Sequence, residues 1–172
     1  MKKPKELQWI TAGYALFSQK GTNGLNIEWI ARSLDKNKSS FYHYFGNAAS
    51  FEIELLDYHL QRVKAFAELA RACEYLVPDV LNLFIERKED FFFHKQLRLH
   101  RENPNYKFCY EKAFKIFEGA FLDKWTDYLG LNHQPLFAST FLQLIAENFL
   151  LRITTSSFDY NWLAAYLQEV HT

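Results

Sequence analysis

The chain contains few residues that interrupt helices. Its 172 residues include only six glycines and four prolines, and apolar residues recur at intervals of three and four over long stretches. This spacing puts apolar side chains on one face of an α-helix, whereas a half-buried strand needs strict alternation. We therefore predict an all-α protein.

The first fifty residues predict three helices. The first covers about residues 5–20 and ends at Gly21, the residue type that most often follows a helix. Asn26 can cap the free N–H groups of a second helix, and Asn37 can cap a third over residues 38–45. Two capped helices joined by a break of three residues match the helix-turn-helix pattern.

The remainder of the chain is predicted to be helical to its end. Pro135 suits the first position of a helix, and Asp159 suits a cap. The predicted helices cover about residues 48–73, 78–100, 106–129, 135–153 and 159–170, and the second of them can be broken near the Phe91–Phe93 run.

The third helix divides its side chains between two environments. Phe41 and Phe45 stand four residues apart on one face and are predicted to belong to the core. The other face carries Lys38, Ser39, Tyr42 and His43. Free N–H groups, hydroxyls and cations at a helix N-terminus suit a phosphate, and the hydroxyls of Tyr42 and Tyr44 can reach a nucleic-acid backbone. A solvated helix end with ordinary core aromatics accounts for the same spacing.

Charge and composition restrict the class of protein. The net charge is zero, but residues 1–50 carry seven lysines and arginines against three acids, which points weakly to an anionic partner. Two cysteines with no zinc or redox spacing, and a polar N-terminus with no apolar run behind it, lead us to expect a cytoplasmic protein that does not enter a membrane. The sequence has no Gly-rich phosphate loop, nucleophile elbow or paired metal-binding histidines. We therefore expect no enzyme, cofactor or metal site.

Residues 8–56 resemble the N-terminal DNA-binding domain of TetR-family transcriptional regulators. The resemblance rests on "ALFSQKG" at the end of the first helix, "IEWIA" in the second and "KSSFYHYF" in the third. It implies a DNA-binding head, residues 1–47, and a ligand-binding and dimerisation body, residues 48–172. The implied function is a repressor that binds palindromic operator DNA as a homodimer and is released by a small apolar or aromatic effector. A dimeric small-molecule-binding protein that has lost specific DNA binding is the alternative.

The resemblance assigns roles to individual residues. It places Lys38, Ser39 and Ser40 at the start of the recognition helix, with Tyr42 and His43 facing DNA. Lys38 bonds either a guanine edge or only a phosphate, and His43 is either a DNA contact or a solvated surface histidine. The predicted DNA-binding residues are Asn26, Asn37, Lys38, Ser39, Ser40, Tyr42, His43 and Tyr44.

Four positions depart from the family pattern. Asp35 stands where the family prefers a glycine in the turn, and it puts an acid near the DNA. Lys36 takes a position that is normally apolar, so its stem can cover the core while its amine reaches solvent. Ser39 replaces a frequent glycine, and Ala48 falls where a lysine commonly begins the fourth helix. Asp35 and Ala48, together with the zero net charge, motivate the alternative in which DNA binding has been lost.

Aromatic residues make up 18% of the chain and form a stripe on the helix that begins near residue 106. Plain core packing explains such a stripe, because a buried helix needs one. Part of the stripe can instead line an apolar pocket for a flat or lipid-like molecule. The predicted pocket residues are Phe91, Phe92, His94, Phe108, Tyr110, Phe114, Phe117 and Phe121.

The last two helices carry apolar residues on more than one face. A helix that is apolar on two sides must be covered on both, and the chain's own body can cover only one. A second copy can cover the other, which predicts a four-helix interface with twofold symmetry. The predicted interface residues are Phe137, Phe141, Leu144, Asn148, Leu151, Trp162 and Tyr166.

Overall fold

The structure is a computed structural model that describes residues 4–171, and it confirms the all-α prediction. Within that span the chain forms nine α-helices and no strand. No helix among the described residues combines the length and apolarity that a membrane crossing requires. The helices are α1 (Pro4–Lys20), α2 (Ile27–Ser33), α3 (Lys38–Phe45), α4 (Ala48–Ala72), α5 (Leu81–Glu86), α6 (Lys88–Leu99), α7 (Pro104–Leu129), α8 (Pro135–Arg152) and α9 (Tyr160–His171).

Three helices begin at the side-chain caps that the sequence predicts. The Asn26 Oδ1 atom accepts hydrogen bonds from two backbone N–H groups in the first turn of α2, at 2.9 and 3.2 Å. The Asn37 Oδ1 atom accepts from the backbone N–H of the third residue of α3, at 3.0 Å. The Asp159 Oδ1 atom does the same for α9, at 2.9 Å. Each cap satisfies donors that have no partner within the helix, so the three predicted caps are confirmed.

The predicted break near Phe91–Phe93 is wrong. The interruption lies at Arg87, between α5 and α6, and the three phenylalanines are inside α6. The Phe91 ring stacks on the Phe84 ring, with centroids 4.2 Å apart and an angle of 18°. Packing of this kind holds the aromatic run in a regular helix although its intrinsic helix propensity is modest.

The chain packs as two compact units. The first extends to Arg62 and includes Phe92–Tyr110, and the second comprises Val63–Phe91 and the chain from Glu111 onward. The division of the sequence into domains 1–47 and 48–172 stays a prediction.

The first unit has an aromatic core that fixes α3. Phe41 is fully buried, and its ring lies 5.6 Å from Trp9 of α1 and 5.0 Å from Phe51 of α4, both in edge-to-face geometry. Phe45 meets Phe51 in the same way at 4.8 Å. Such contacts add to the stabilisation that burial of apolar area provides. The predicted core face of the third helix is therefore confirmed.

A close approach of the backbone shapes the turn after α1. The turn Gly21–Leu25 is a short 3₁₀ segment, and Gly24 is buried against α1. A Cβ atom at Gly24 would lie 2.2 Å from the carbonyl oxygen of Leu16. Glycine at this position lets the chain pass α1 and enter α2.

The second unit is held together by packed phenylalanines. Phe66 of α4 meets Phe117 of α7 edge to face at 5.2 Å, and Phe91 stacks near the same ring at 5.3 Å and 23°. Phe149 of α8 meets Phe158 at 5.4 Å. The rings link several helices of the unit into one apolar core.

Candidate DNA-binding surface

The outer face of α3 is polar and largely exposed. Lys38, Ser39, Tyr42 and His43 are all exposed, and 49% of the Tyr42 surface is open to solvent. Tyr44 is half-buried, with its ring 5.2 Å from the His43 ring in edge-to-face geometry. The structure therefore places six of the eight predicted DNA-binding residues on α3, whose phenylalanines are buried.

The asparagines of the predicted set have structural roles at the helix starts. Besides capping the backbone of α3, the Asn37 Oδ1 atom accepts a hydrogen bond from the Ser40 hydroxyl at 2.9 Å. Asn26 caps α2 in the same manner. These contacts fix the N-terminal ends of both helices, where free N–H groups and the helix dipole favour an anion.

Lys38 pairs with an acid of the preceding helix. Its Nζ atom lies 2.5 Å from the Oε1 atom of Glu28, in the first turn of α2. The hydrogen bond from Lys38, and then its charge, lower the pKa of the Glu28 carboxyl from its usual value. The same two effects of Glu28 raise the pKa of the Lys38 ammonium. Both groups are thus fixed in their charged forms near neutral pH.

Two further lysines contact neutral partners on this unit. The Lys20 Nζ atom lies 4.5 Å from the centre of the Trp29 ring, and Trp29 is exposed on α2. The Lys36 Nζ atom donates a hydrogen bond to Gln8 Oε1 at 2.6 Å. Sequence reasoning left Lys20 and Trp29 out of the candidate surface. The sequence feature that could have indicated this contact is Trp29, a large aromatic residue outside the apolar stripe of α2.

The turn between α2 and α3 explains one departure from the family pattern. Asp35 has a φ of 53°, a left-handed conformation that glycine adopts without strain and that Asp tolerates better than most residues. The Asp35 backbone N–H donates to the Arg32 carbonyl at 3.2 Å, and that of Lys36 donates to Ala31 at 2.9 Å. The backbone at this position thus adopts a left-handed conformation, which accounts for the glycine that the family prefers there.

The arrangement defines a class of protein. The capped helices α2 and α3 are joined by a tight turn, and the inner face of α3 is buried in the core. Together they form a helix-turn-helix domain in which α3 exposes a polar face. Residues 10–50 match the family described as bacterial regulatory proteins, tetR family. The match supports a helix-turn-helix domain of the TetR type at the N-terminus. Members of this family are typically non-enzymatic DNA-binding proteins.

The match covers about a quarter of the chain and none of the residues beyond 50. Comparisons of the chain with curated proteins and with solved structures gave no significant match. Among residues 4–171, no group of three or more His, Cys, Asp or Glu side chains is placed to hold a metal ion.

The predicted pocket residues are divided between the two units. Phe92, His94, Phe108 and Tyr110 belong to the first unit, and Phe91, Phe114, Phe117 and Phe121 belong to the second. In the first unit His94 and Tyr110 are buried and stacked at 4.6 Å, whereas Phe108 is 64% exposed.

A groove of about 290 Å³ lies in the second unit, and none of the predicted pocket residues lines it. Its walls come from the segment between α4 and α5 and from the end of α7. The volume is at the lower limit of small-molecule sites. The lining residues are Glu74, Tyr75, Leu76, Val77, Lys124, Asp127 and Tyr128.

The predicted interface residues of α8 lie mostly on its outer face. Phe137, Leu144 and Leu151 are exposed and follow one another at intervals of seven. Asn148 is exposed as well, and Phe141 is half-buried, with its ring 5.8 Å from that of Trp125. This repeat is typical of a seam between two packed helices.

The predicted interface residues of α9 are more buried than those of α8. Tyr166 is buried, and its hydroxyl lies 3.0 Å from both the Ile145 carbonyl oxygen and the Asn148 Oδ1 atom. Burial raises the pKa of Tyr166 to about 12. Trp162 is half-buried and stacks on Tyr166 at 5.4 Å. Tyr166 therefore stabilises the second unit itself, and α8 carries the exposed apolar stripe.

Proposed function

We propose that the protein is a repressor of TetR type, which binds palindromic operator DNA as a homodimer and is released by a small apolar or aromatic ligand. The observation that carries the proposal is the outer face of α3, where Lys38, Ser39, Tyr42 and His43 stand exposed on a capped helix. Hydroxyls, a cation and an imidazole on one helix face suit the phosphates and base edges of a major groove.

In this proposal, the N-terminal ends of α2 and α3 bind the DNA. The helix starts capped by Asn26 and Asn37 would approach phosphates, while Lys38 and Tyr44 would contact the backbone on either side of the groove. Tyr42 and His43 would face the bases. A helix held by the buried Phe41 and Phe45 presents these side chains with little loss of backbone freedom on binding.

The exposed stripe of α8 supports a homodimer. Leu144 is 64% exposed and lies seven residues from Phe137 and from Leu151, which are also exposed. An apolar stripe with this repeat loses contact with water when it packs against the same stripe of a second copy. Two α3 helices related by a twofold axis would read the two halves of a palindrome.

Release by a ligand requires that the ligand bind one conformation more tightly than another. The phenylalanine core of the second unit, including Phe91 and Phe117, could accept a flat apolar molecule only by opening between its rings. Phe114 and Phe121 lie on the same helix as Phe117 and would extend such a site. An effector that opens this core would therefore favour a second conformation, as an inducer must. The expected location of such a regulator is the cytoplasm.

A second candidate is a dimeric ligand-binding protein that has lost specific DNA binding. It is supported by Asp35 in the turn, by Ala48 at the exposed start of α4, and by the acid paired with Lys38. These features reduce the positive charge that DNA binding uses.

Fluorescence anisotropy distinguishes the two functions. The purified protein is titrated onto labelled DNA that flanks its own gene and onto a scrambled duplex, at several salt concentrations, and the series is repeated with the Lys38→Ala, Tyr42→Ala double variant. A repressor binds the flanking DNA selectively, weakens by orders of magnitude between low and moderate salt, and loses selectivity in the double variant. Equal weak binding to both duplexes, unchanged by the substitutions, would favour the second function.

A further inference from the structure

The pair formed by Glu28 and Lys38 joins the first turns of two helices. Lys38 is the first residue of α3, and Glu28 is the second residue of α2. The Glu28 backbone N–H donates to the Asn26 cap at 2.9 Å, and the Glu28 side chain accepts from the Lys38 Nζ atom at 2.5 Å. The side chains are 58% and 52% exposed, so DNA that approaches α3 reaches both.

The pair differs from the contacts that Lys36 and Lys20 make on this unit. Lys36 donates to the neutral amide of Gln8, and Lys20 lies over the neutral ring of Trp29. Both of those lysines keep a net positive charge for a phosphate. Lys38 is instead paired with the carboxylate of Glu28, so the pair has no net charge.

We infer that Glu28 competes with DNA phosphate for the ammonium of Lys38 and thereby sets the sequence-independent affinity of the surface for DNA. The inference rests on the proposed DNA-binding function. A phosphate that binds Lys38 must either displace the Glu28 carboxylate or share the ammonium with it, in which case the two anions repel each other. Glu28 therefore weakens binding to every sequence and leaves the groups that read bases unchanged.

The physical signature of such competition is the salt dependence of binding. Each phosphate that is neutralised releases a condensed counterion. As a result, the logarithm of the binding constant falls by about 0.9 for each such contact when the salt concentration rises tenfold. An ammonium already neutralised by a carboxylate contributes less than one full contact. Removal of the carboxylate charge should therefore make the slope steeper, whereas a purely structural role of Glu28 would not change it in this direction.

The test is fluorescence anisotropy with the full chain and the Glu28→Gln variant, on both the flanking and the scrambled duplex. Gln preserves the size of the side chain and its ability to accept a hydrogen bond. We expect binding to both duplexes to tighten roughly threefold to tenfold at low salt, the size of one unit-charge interaction in water. The slope of the logarithm of the binding constant against the logarithm of the salt concentration should become steeper by up to about 0.9.

Two further variants isolate the pair from general charge. In a Lys38→Ala background the Glu28→Gln substitution should give less than a quarter of its gain, because the ammonium for which Glu28 and phosphate compete is absent. Asp57→Asn makes the same change in net charge at an exposed residue of α4 in the same unit and should change affinity less than twofold. A gain that persists without Lys38, or an equal gain in Asp57→Asn, would overturn the inference. Weaker binding by Glu28→Gln would overturn it as well, because Glu28 would then position the lysine for DNA.

The outcomes separate this inference from the proposed function. If the wild-type protein binds DNA with a steep salt dependence and Glu28→Gln behaves identically, only the inference fails. If neither protein shows salt-dependent binding to any duplex, both fail. If the wild-type protein binds weakly and Glu28→Gln binds well, both are supported. Carboxyl NMR titration without DNA tests the pair directly: the pKa of Glu28 should rise in Lys38→Ala, and an unchanged pKa would mean that the pair does not form in solution.

Discussion

Tyr14 and His59 form a hydrogen bond between two buried side chains, with 2.8 Å between the Tyr14 hydroxyl oxygen and the His59 Nδ1 atom. The His59 Nε2 atom lies 3.4 Å from the Nδ1 atom of His94, which is buried too. The Arg62 guanidinium lies 5.0 Å from the centre of the Tyr14 ring. The chain of polar groups connects α1, α4 and α6 within the first unit, in surroundings that disfavour a charged imidazole.

These histidines should make the protein sensitive to acid. Burial, with smaller effects of His94 and Arg62, lowers the pKa of His59 well below its usual value, and burial lowers the pKa of His94 to about 3. In the unfolded chain a histidine takes up a proton below about pH 6.5. The unfolded state then binds more protons than the native state, so the stabilisation is complete above pH 6.5 and is lost as the pH falls toward 3. At pH 5 the buried His94 should lower the free energy of unfolding by about 2 kcal/mol, and His59 should act in the same direction.

Urea denaturation at pH 7.5 and pH 5 measures this effect. His94→Phe keeps a ring that can stack on Tyr110 and removes one titrating group. The variant should lose the His94 contribution to the pH dependence, about 2 kcal/mol between the two pH values, even if it is less stable at both. An unchanged difference between the two pH values would show that His94 is protonated in the native state or accessible to water.

Asp35→Gly should stabilise the protein. The φ of 53° strains every residue with a Cβ atom to some degree, and glycine removes that strain. We expect a gain of about 0.5 to 1 kcal/mol, which corresponds to a rise in Tm of about 1 to 4 °C for a chain of this length. Differential scanning fluorimetry measures the shift. Asp35→Asn tolerates the same conformation and should change little, whereas Asp35→Ala should be destabilising; a gain in the alanine variant would contradict the role of the backbone.

Two glycine substitutions should have opposite effects. In Gly24→Ala the new methyl group would lie 2.2 Å from the Leu16 carbonyl oxygen, so the turn or α1 must move, at a cost of about 2 kcal/mol or more. In Gly119→Ala the methyl group meets nothing within 4 Å on an exposed face of α7, and the reduced backbone entropy of the unfolded chain should stabilise by about 0.5 to 1 kcal/mol. Urea denaturation compares the two, and equal changes would contradict the close approach at Gly24.

Local features of the fold were predictable from the sequence. The caps at Asn26, Asn37 and Asp159 depend on residues within one turn, and the inward face of Phe41 and Phe45 follows from the helical period alone. The length of a helix that contains an aromatic run depends on tertiary packing, so the break was placed near Phe91–Phe93 instead of at Arg87.

The parts of the candidate site that depend on contacts between helices were not predictable. Glu28 and Lys38 are ten residues apart on different helices, and no periodicity connects them. Phe108 stands two residues before Tyr110, on another side of α7, and it is exposed whereas Tyr110 is buried, because neighbouring helices decide which side of α7 is covered. The family resemblance carried the assignment of the DNA-binding head where spacing alone left a solvated helix end as an alternative.

Leu144→Asp should dissociate the proposed homodimer. The side chain is 64% exposed in the single chain and lies at the middle of the α8 stripe, so a twofold interface would bury it twice. A carboxylate in that position should weaken dimerisation by about 2 kcal/mol for each copy, on the order of thousandfold in the dissociation constant. Sedimentation velocity across a range of protein concentrations measures the change. Leu69→Asp, at an exposed leucine of α4, provides the control and should leave the dimer intact. A wild-type protein that is monomeric at micromolar concentration, or a Leu144→Asp variant that remains dimeric, would show that the α8 stripe is not the interface.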